Sequence, residues 1–168
     1  FDIPIINTQI IKHGLPPLHP HQFIDTCLIA RKQFGFISNK LDFINGILGL
    51  EKKIETGGFD LWKQCMAGNN IALKQMEKYN RNDVLILEEH YLKIRPYIKS
   101  HPNLALYMET DKSVCPNCGS AKIKLDGYYY TTVGKYATFK CECGCVGRTR
   151  VSALTATQRK ALMTTVSK

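Results

Sequence analysis

The sequence predicts a chain of the α/β class, in which a mostly helical segment is followed by a small β ribbon. Apolar residues recur at helical spacing as far as about residue 98. After Cys115 and Cys118, the run YYYTTVGKYATFKC is aromatic and β-branched, which is typical of two strands joined at Gly134. Residues 99–114 are the expected linker between the segments. A length of 168 residues suits one domain with a small additional module.

Local signals define the elements of the helical segment. The Ser-Asn pair at 38–39 can cap a helix that Gly49 ends. The Asn-Asn pair at 69–70 can cap a long helix, with an interruption near Asn80. The predicted elements are helices over 1–14, 28–34, 41–48, 59–66 and from 69 to about 98, a buried strand over 22–26 (QFIDT), and a weak helix within 155–168.

Positive charge is concentrated in the last third of the chain. Of the net charge of +9, residues 112–168 contribute +8, with 10 Lys and Arg against 2 acids, whereas residues 1–111 carry 13 against 12. A segregated basic segment indicates a nucleic-acid-binding module, and the alternative is a solvated basic surface. The candidate phosphate-binding residues are Lys122, Lys124, Lys135, Lys140, Arg148 and Arg150. Candidate stacking residues are Tyr128, Tyr129, Tyr130, Tyr136 and Phe139, although several of these must form the core of the ribbon.

Five of the seven cysteines are clustered in the ribbon. Cys115-Pro-Asn-Cys118-Gly119 is a C-x2-C-G knuckle, and Cys141-Glu-Cys143-Gly144-Cys145 is an irregular second one. Two thiolates from each would build a closed, structural zinc site. We favour Cys141 with Cys143, because Gly144 follows Cys143 as Gly119 follows Cys118; the alternative is Cys141 with Cys145. Cys27 and Cys65 lie alone in apolar stretches and are expected to be small buried hydrophobes.

The cysteine count also indicates the compartment. An odd count without a visible secretory signal argues against disulfides and favours a reducing cytoplasm. No apolar run approaches the roughly 18 residues that a membrane helix needs, so we expect no membrane partner.

Tyr79 and Asp83 form a Y-x3-D motif on the long predicted helix. Positions i and i+4 share a face, so the phenol and the carboxylate point to the same place. A carboxylate that holds a divalent metal beside a phenol that orients a water suits phosphodiester hydrolysis. The alternative interpretation is a packed tyrosine with a solvent-facing aspartate.

Three short motifs occur in an order that resembles the DnaQ-like 3′–5′ exonucleases of the DEDD superfamily, which have an RNase H-like fold. They are Phe1-Asp2-Ile-Pro, Ile24-Asp25-Thr26 and Tyr79 to Val84, and a tyrosine in the third motif marks the DEDDy subtype. The segments HGLPP, DTCLIARKQF, KLDFINGILGL and EKYNRNDVLILEEHYLKIRP are similar to the phage and bacterial branch, several members of which carry a zinc ribbon after the nuclease domain. The resemblance implies a partial, mostly helical exonuclease domain over 1–110, a zinc ribbon over 111–152 and a tail over 153–168.

The resemblance also implies functional residues. Asp2 and Asp83 match metal-binding acids, Tyr79 matches the phenol that positions the attacking water, and Asp25 is a structural residue. Two Mg²⁺ or Mn²⁺ ions would support hydrolysis at the 3′ ends of single-stranded DNA, in a bacterial or phage-infected host cytoplasm. Because the sequence lacks the D-x-E motif of the first strand, we expect a fragment or a second polypeptide that supplies the missing strands. The alternative function is a non-catalytic nucleic-acid-binding or scaffold subunit that acts through the ribbon.

Overall fold

The computed structural model describes residues 2–19 and 22–166, with only the backbone of Asp2, and contains helices and one small antiparallel sheet. The helices are α1 (Asp2–Lys12), α2 (Thr26–Gln33), α3 (Leu41–Leu48), α4 (Phe59–Met66), α5 (Asn70–Ile94) and α6 (Ala156–Ala161). Short 3₁₀ turns occupy Arg95–Tyr97 and Leu104–Tyr107, and the strands are β1 (Ile123–Thr131), β2 (Gly134–Cys141) and β3 (Val146–Arg148). In the described part of the chain, no helix has both the length and the apolar content needed to cross a bilayer.

The predicted helices are present, and their ends follow the predicted capping chemistry in part. The Asn69 side chain accepts hydrogen bonds from the N–H groups of Ile71 and Ala72 at the start of α5. Gly49 ends α3 in the left-handed conformation, with φ of 67°. Two details differ: Lys40 precedes α3 without a side-chain cap, and α5 continues unbroken through Asn80.

The prediction of a strand over 22–26 is wrong. Residues 22–25 adopt no regular secondary structure, and Thr26 begins α2. The Asp25 carboxylate accepts a hydrogen bond from the Leu28 N–H at 2.9 Å, so this short polar-apolar run is the capped entry to a helix. That contact makes Asp25 the N-cap of α2.

A buried polar bridge joins α3 to α5. Asn45 and His90 are almost completely buried. The Asn45 side chain donates to the carbonyl oxygens of Glu51 (3.0 Å) and Ile86 (3.4 Å), and its Oδ1 lies 2.8 Å from His90 Nδ1. Burial lowers the pKa of His90, so the ring is neutral at pH 7 and donates Nδ1–H to Asn45. Ile44, which precedes Asn45 in the chain, and Ile86, whose carbonyl oxygen accepts from Asn45, are also fully buried.

The ribbon is attached to the C-terminal end of α5 through its cysteine knuckles. The Asn117 side chain donates to the Arg95 carbonyl oxygen at 3.2 Å, and the Leu104 N–H donates to the Pro116 carbonyl oxygen at 2.8 Å. Gly144 has φ of 85°, and a Cβ there would lie 3.1 Å from the Pro96 ring. The turn after α5 therefore packs closely against the ribbon.

The three strands pair in the order β1–β2–β3, all antiparallel. One face of the sheet carries Phe139, which packs with the cysteines in a small buried core. Gly147 lies opposite Phe139, and a Cβ at that position would come 2.5 Å from the ring. The other face carries Tyr136, Thr138 and Arg148, because alternate residues of a strand share a side and directly paired residues face the same way.

Candidate functional site

Four cysteine sulfurs converge at the end of the ribbon. The Sγ atoms of Cys115, Cys118, Cys141 and Cys143 all lie within 4.8 Å of one another. The Cys115–Cys143 and Cys118–Cys141 sulfurs are 3.7 and 3.6 Å apart, far beyond the roughly 2.05 Å of a disulfide. A tetrahedron with Zn–S bonds of about 2.3 Å has sulfur–sulfur edges of about 3.8 Å. The cluster can therefore hold a metal ion such as zinc.

The two knuckles have the same local geometry in spite of their different spacing. The Gly119 N–H donates to the Cys115 carbonyl oxygen at 2.8 Å, and the Gly144 N–H donates to the Cys141 carbonyl oxygen at 3.0 Å. Both glycines have positive φ, 74° and 85°, a conformation that other residues rarely adopt. The glycine after Cys143 thus completes the second knuckle, as the sequence indicates.

Cys145, the alternative ligand, lies outside the group of four sulfurs. Its side chain is buried beside the cluster, and its backbone carbonyl accepts a hydrogen bond from the Cys141 N–H at 2.9 Å. Cys145 therefore closes the knuckle through its backbone and packs its thiol into the core.

The protonation of the thiols shows why this cluster suits a cation. Burial raises the pKa of Cys115 to about 11 and that of Cys118 to about 12, and burial also raises the pKa of Cys145. At Cys143 burial also disfavours the thiolate, but hydrogen bonds from the Cys145 N–H and from the neighbouring thiols outweigh it and lower the pKa. A dication among the sulfurs would stabilise all four thiolates and release their protons.

Tyr79 and Asp83 lie one turn apart on α5, and Lys53 brings them together. The Lys53 ammonium is 3.1 Å from Asp83 Oδ2 and 5.8 Å from the centre of the Tyr79 ring. Burial opposes the charge on Lys53, but its contacts with Asp83 and Tyr79 outweigh this and raise its pKa. The three side chains therefore form one polar group on the surface of α5.

Three side chains hold the loop that carries Lys53. The Lys53 N–H donates to Asp42 Oδ1 at 3.1 Å, and the Ile54 N–H donates to Asn82 Oδ1 at 3.1 Å. Asn45 anchors the Glu51 carbonyl in the same loop. These bonds come from both α3 and α5, so the position of Lys53 is fixed by the packing of two helices.

The second carboxylate oxygen of Asp83 has no hydrogen-bond donor among the described residues. Asp83 Oδ1 is enclosed and accepts no hydrogen bond within the described part of the chain. Among residues 2–19 and 22–166, the four cysteines form the only group of three or more His, Cys, Asp or Glu side chains that could hold a metal ion, and Asp83 belongs to no such group. Asp2 begins α1, and its side chain lies outside what the structure describes. The structure thus shows an enclosed acceptor on Asp83, but among the described residues it assembles no set of ligands for Mg²⁺ or Mn²⁺.

The six predicted phosphate-binding residues have different surroundings. Lys122 pairs with Glu142 at 3.4 Å and Lys140 pairs with Asp126 at 2.5 Å, so the two acids of residues 112–168 are engaged. Lys135 lies over the Tyr128 ring at 3.9 Å, and Arg148 lies over the Tyr136 ring at 4.1 Å. Lys124 and Arg150 are exposed.

The candidate stacking residues divide between the core and the surface. Phe139 is buried in the cysteine core and is not available to a base. Tyr128, Tyr129 and Tyr130 are exposed along β1, whereas Tyr136 is half-buried on β2. The surface of the sheet is therefore aromatic as well as basic.

Two functional candidates have no motif in the sequence. Lys53 lies in the ordinary stretch EKKIETGG, and only the hydrogen bonds of its loop bring it to Asp83. Lys99 lies in the linker, and the docking of the ribbon brings it to the sheet, where it lines a groove with Tyr129 and Arg148. Neither lysine has a signal in the sequence, because each reaches its site through contacts between residues that are distant along the chain.

Compared with protein-family models, curated proteins and solved structures, the chain matches none. The resemblance to the DnaQ-like exonucleases therefore rests on the sequence motifs, and function has to be inferred from the residues themselves.

Proposed function

We propose that this chain acts in metal-dependent 3′–5′ exonucleolytic hydrolysis of nucleic acid, as part of an RNase H-like domain followed by a zinc ribbon. The main support is the enclosed oxygen of Asp83, which has no donor among the described residues and lies on the same helix as the Tyr79 phenol. A buried acceptor without a partner costs about 1–3 kcal/mol. A divalent cation coordinated by that oxygen would remove the cost.

The side chains on α5 have distinct roles in this proposal. Asp83, together with Asp2, would hold Mg²⁺ or Mn²⁺, which when bound neutralises charge at the scissile phosphate and acidifies the attacking water. Tyr79 would orient that water through its hydroxyl group. Lys53 holds Asp83 through Oδ2 and leaves Oδ1 to the cation.

The proposal requires further carboxylates beside Asp83. Val84 and Leu85, which follow it on α5, are large apolar side chains exposed to solvent. A sheet packed on this part of α5 would cover them and bring the acids of its strands to Asp83. We assign the D-x-E motif to such a sheet, supplied by another segment or by a partner polypeptide.

The ribbon would serve the same reaction by holding the substrate. Four thiolates leave zinc no open coordination position, so its role is structural. The metal would stabilise the small core of Phe139 and Cys145, on which the basic and aromatic sheet is built. The expected ligand is a single strand that presents its 3′ end.

A hydrolysis assay tests the proposal. The protein, purified with any polypeptide that remains bound, is incubated with a 5′-labelled single strand and Mn²⁺. We expect a ladder of products shortened from the 3′ end, and loss of that ladder in Asp83→Asn. Asp60→Asn is the matched control, because Asp60 is a well-exposed helical acid whose ion pair is with Lys63, three residues away. Undiminished hydrolysis by Asp83→Asn would exclude the role of Asp83.

A second candidate is a non-catalytic nucleic-acid-binding or scaffold subunit. The observation in its favour is that the described residues assemble the cysteine cluster and the basic sheet, but form no group of three or more potential metal ligands that includes Asp83. Strand binding without hydrolysis in Mg²⁺ or Mn²⁺ would select this candidate.

A further inference from the structure

The face of the ribbon sheet opposite Phe139 and the cysteine core carries aromatic and basic side chains. Tyr129 pairs with Tyr136 across β1 and β2, and Thr138 pairs with Arg148 across β2 and β3. Since alternate residues of β2 share a side, these four side chains lie on one face. Tyr129 remains 51% exposed. An exposed aromatic face rimmed by cations is unusual for a surface that only meets water.

Arg148 organises the aromatic rings of this face. Its guanidinium lies 4.1 Å from the centre of the Tyr136 ring and 5.7 Å from that of Tyr129. Contacts of this kind attract the guanidinium to the aromatic rings, and Arg148 remains exposed at the surface. The face therefore presents a positive charge beside an accessible ring.

A groove lies over this face and extends to the linker. It has a volume of about 650 Å³, within the range of about 300–1,000 Å³ that is typical of sites for small organic ligands. Its lining residues are Lys99, Tyr129, Thr131, Thr138, Val146, Gly147 and Arg148. Two cations and no acid line it, and the nearby Asp126 is already paired with Lys140. The groove thus combines an aromatic platform with uncompensated positive charge.

We infer that this groove binds one unpaired nucleotide of a single strand, whose base stacks on Tyr129 while Lys99 and Arg148 contact the flanking phosphates. Any base can stack on an aromatic side chain, because every base has a π-face. In a duplex that face is covered by the neighbouring base pairs, so the groove requires an unpaired base. The phosphodiester and the unpaired base are common to DNA and RNA. The inference rests on the proposed function, in which that strand is the substrate.

Fluorescence anisotropy tests the stacking residue. The zinc-loaded protein is titrated into fluorescein-labelled oligothymidylate without Mg²⁺ or Mn²⁺, so that no hydrolysis occurs. We expect Tyr129→Ala to weaken binding about 5- to 150-fold, and Tyr129→Phe to bind as the wild type does. Tyr107→Ala is the matched control, because Tyr107 is 75% exposed but lies in the 3₁₀ turn Leu104–Tyr107 and does not line the groove. Equal affinity in Tyr129→Ala and wild type, or equal loss in Tyr107→Ala, would overturn the inference.

The salt dependence tests the phosphate contacts. Lys99 lies outside the sheet, so Lys99→Gln leaves the ribbon fold intact. We expect this variant to lower the slope of log K against log salt by about 0.7, the value for one phosphate contact on a single strand. An unchanged slope contradicts the assignment.

Parallel titrations with oligouridylate and with a blunt duplex identify the strand type, and duplex binding as tight as single-strand binding contradicts stacking.

Hydrolysis by Asp83→Asn separates this inference from the proposed function. If binding depends on Tyr129 but hydrolysis does not depend on Asp83, the nucleotide groove stands and the nuclease assignment fails. If hydrolysis requires Asp83 while Tyr129→Ala binds as tightly as wild type, the nuclease assignment stands and the groove inference fails.

Discussion

Replacing single cysteines decides which thiols bind the metal. Structural zinc contributes about 10–16 kcal/mol at neutral pH. If this binding free energy is shared equally among four thiolates, each thiolate accounts for about 2.5–4 kcal/mol, which corresponds to roughly a 10²- to 10³-fold change in the zinc Kd. Because Cys143 is one of the four sulfurs within 4.8 Å of one another, we expect a loss of this size in Cys143→Ser.

The same substitution at Cys145 should act differently. Cys145 is buried beside the cluster but is not one of the four, so Cys145→Ser should keep zinc at one ion per chain. It should lower the free energy of unfolding by about 1–3 kcal/mol, because a hydroxyl group is buried without a partner. Cys65→Ser, in α4, is the control. Zinc competition against a chromophoric chelator measures the Kd, and tight binding by Cys143→Ser with loss in Cys145→Ser would refute the assignment.

Three further predictions concern the scaffold. Gly147→Ala forces a Cβ to within 2.5 Å of Phe139 and should cost about 1–3 kcal/mol in urea denaturation, with partial rescue by Phe139→Leu. Burial lowers the pKa of His90, so the folded protein resists protonation of this ring. The stabilising contribution of the neutral ring is therefore present above about pH 6.5, the pKa of an unfolded histidine, and is lost as the pH falls below that value. In His90→Gln, the loss of stability below about pH 6.5 that this histidine causes should vanish. Lys53→Met should change stability by less than about 1 kcal/mol, since the Lys53–Asp83 pair is 39% and 26% exposed, yet it should slow hydrolysis.

Features with a local cause could be predicted from the sequence. The two knuckles were predictable because ligand spacing and the following glycine decide them within a few residues, as at Cys143 and Gly144. The helix after Asn69 was predictable for the same reason, since a side chain two or three residues away supplies the cap. The wrong strand over 22–26 also has a local cause: Asp25 is a helix cap, and that signal outweighs the apolar pair beside it.

Features that depend on distant residues could not be predicted. Lys53 reaches Asp83 because Asp42 on α3 and Asn82 on α5 fix its loop, and neither contact leaves a trace in sequence spacing. Lys99 belongs to the groove because the ribbon packs on the end of α5. The choice of Phe139 for the core among five aromatic residues likewise depends on strand register, which places it opposite Gly147. The domain boundaries and the RNase H-like arrangement stay predictions.

The most direct test of the central claim is Mn²⁺ binding at Asp83. Electron paramagnetic resonance counts free Mn²⁺ as the zinc-loaded protein, with any bound polypeptide, is added. We predict that Asp83→Asn weakens Mn²⁺ binding while Asp60→Asn does not, because the enclosed Oδ1 of Asp83 is the oxygen that the cation requires. Identical Mn²⁺ binding by the wild type and by Asp83→Asn would contradict the assignment of Asp83 as a metal ligand.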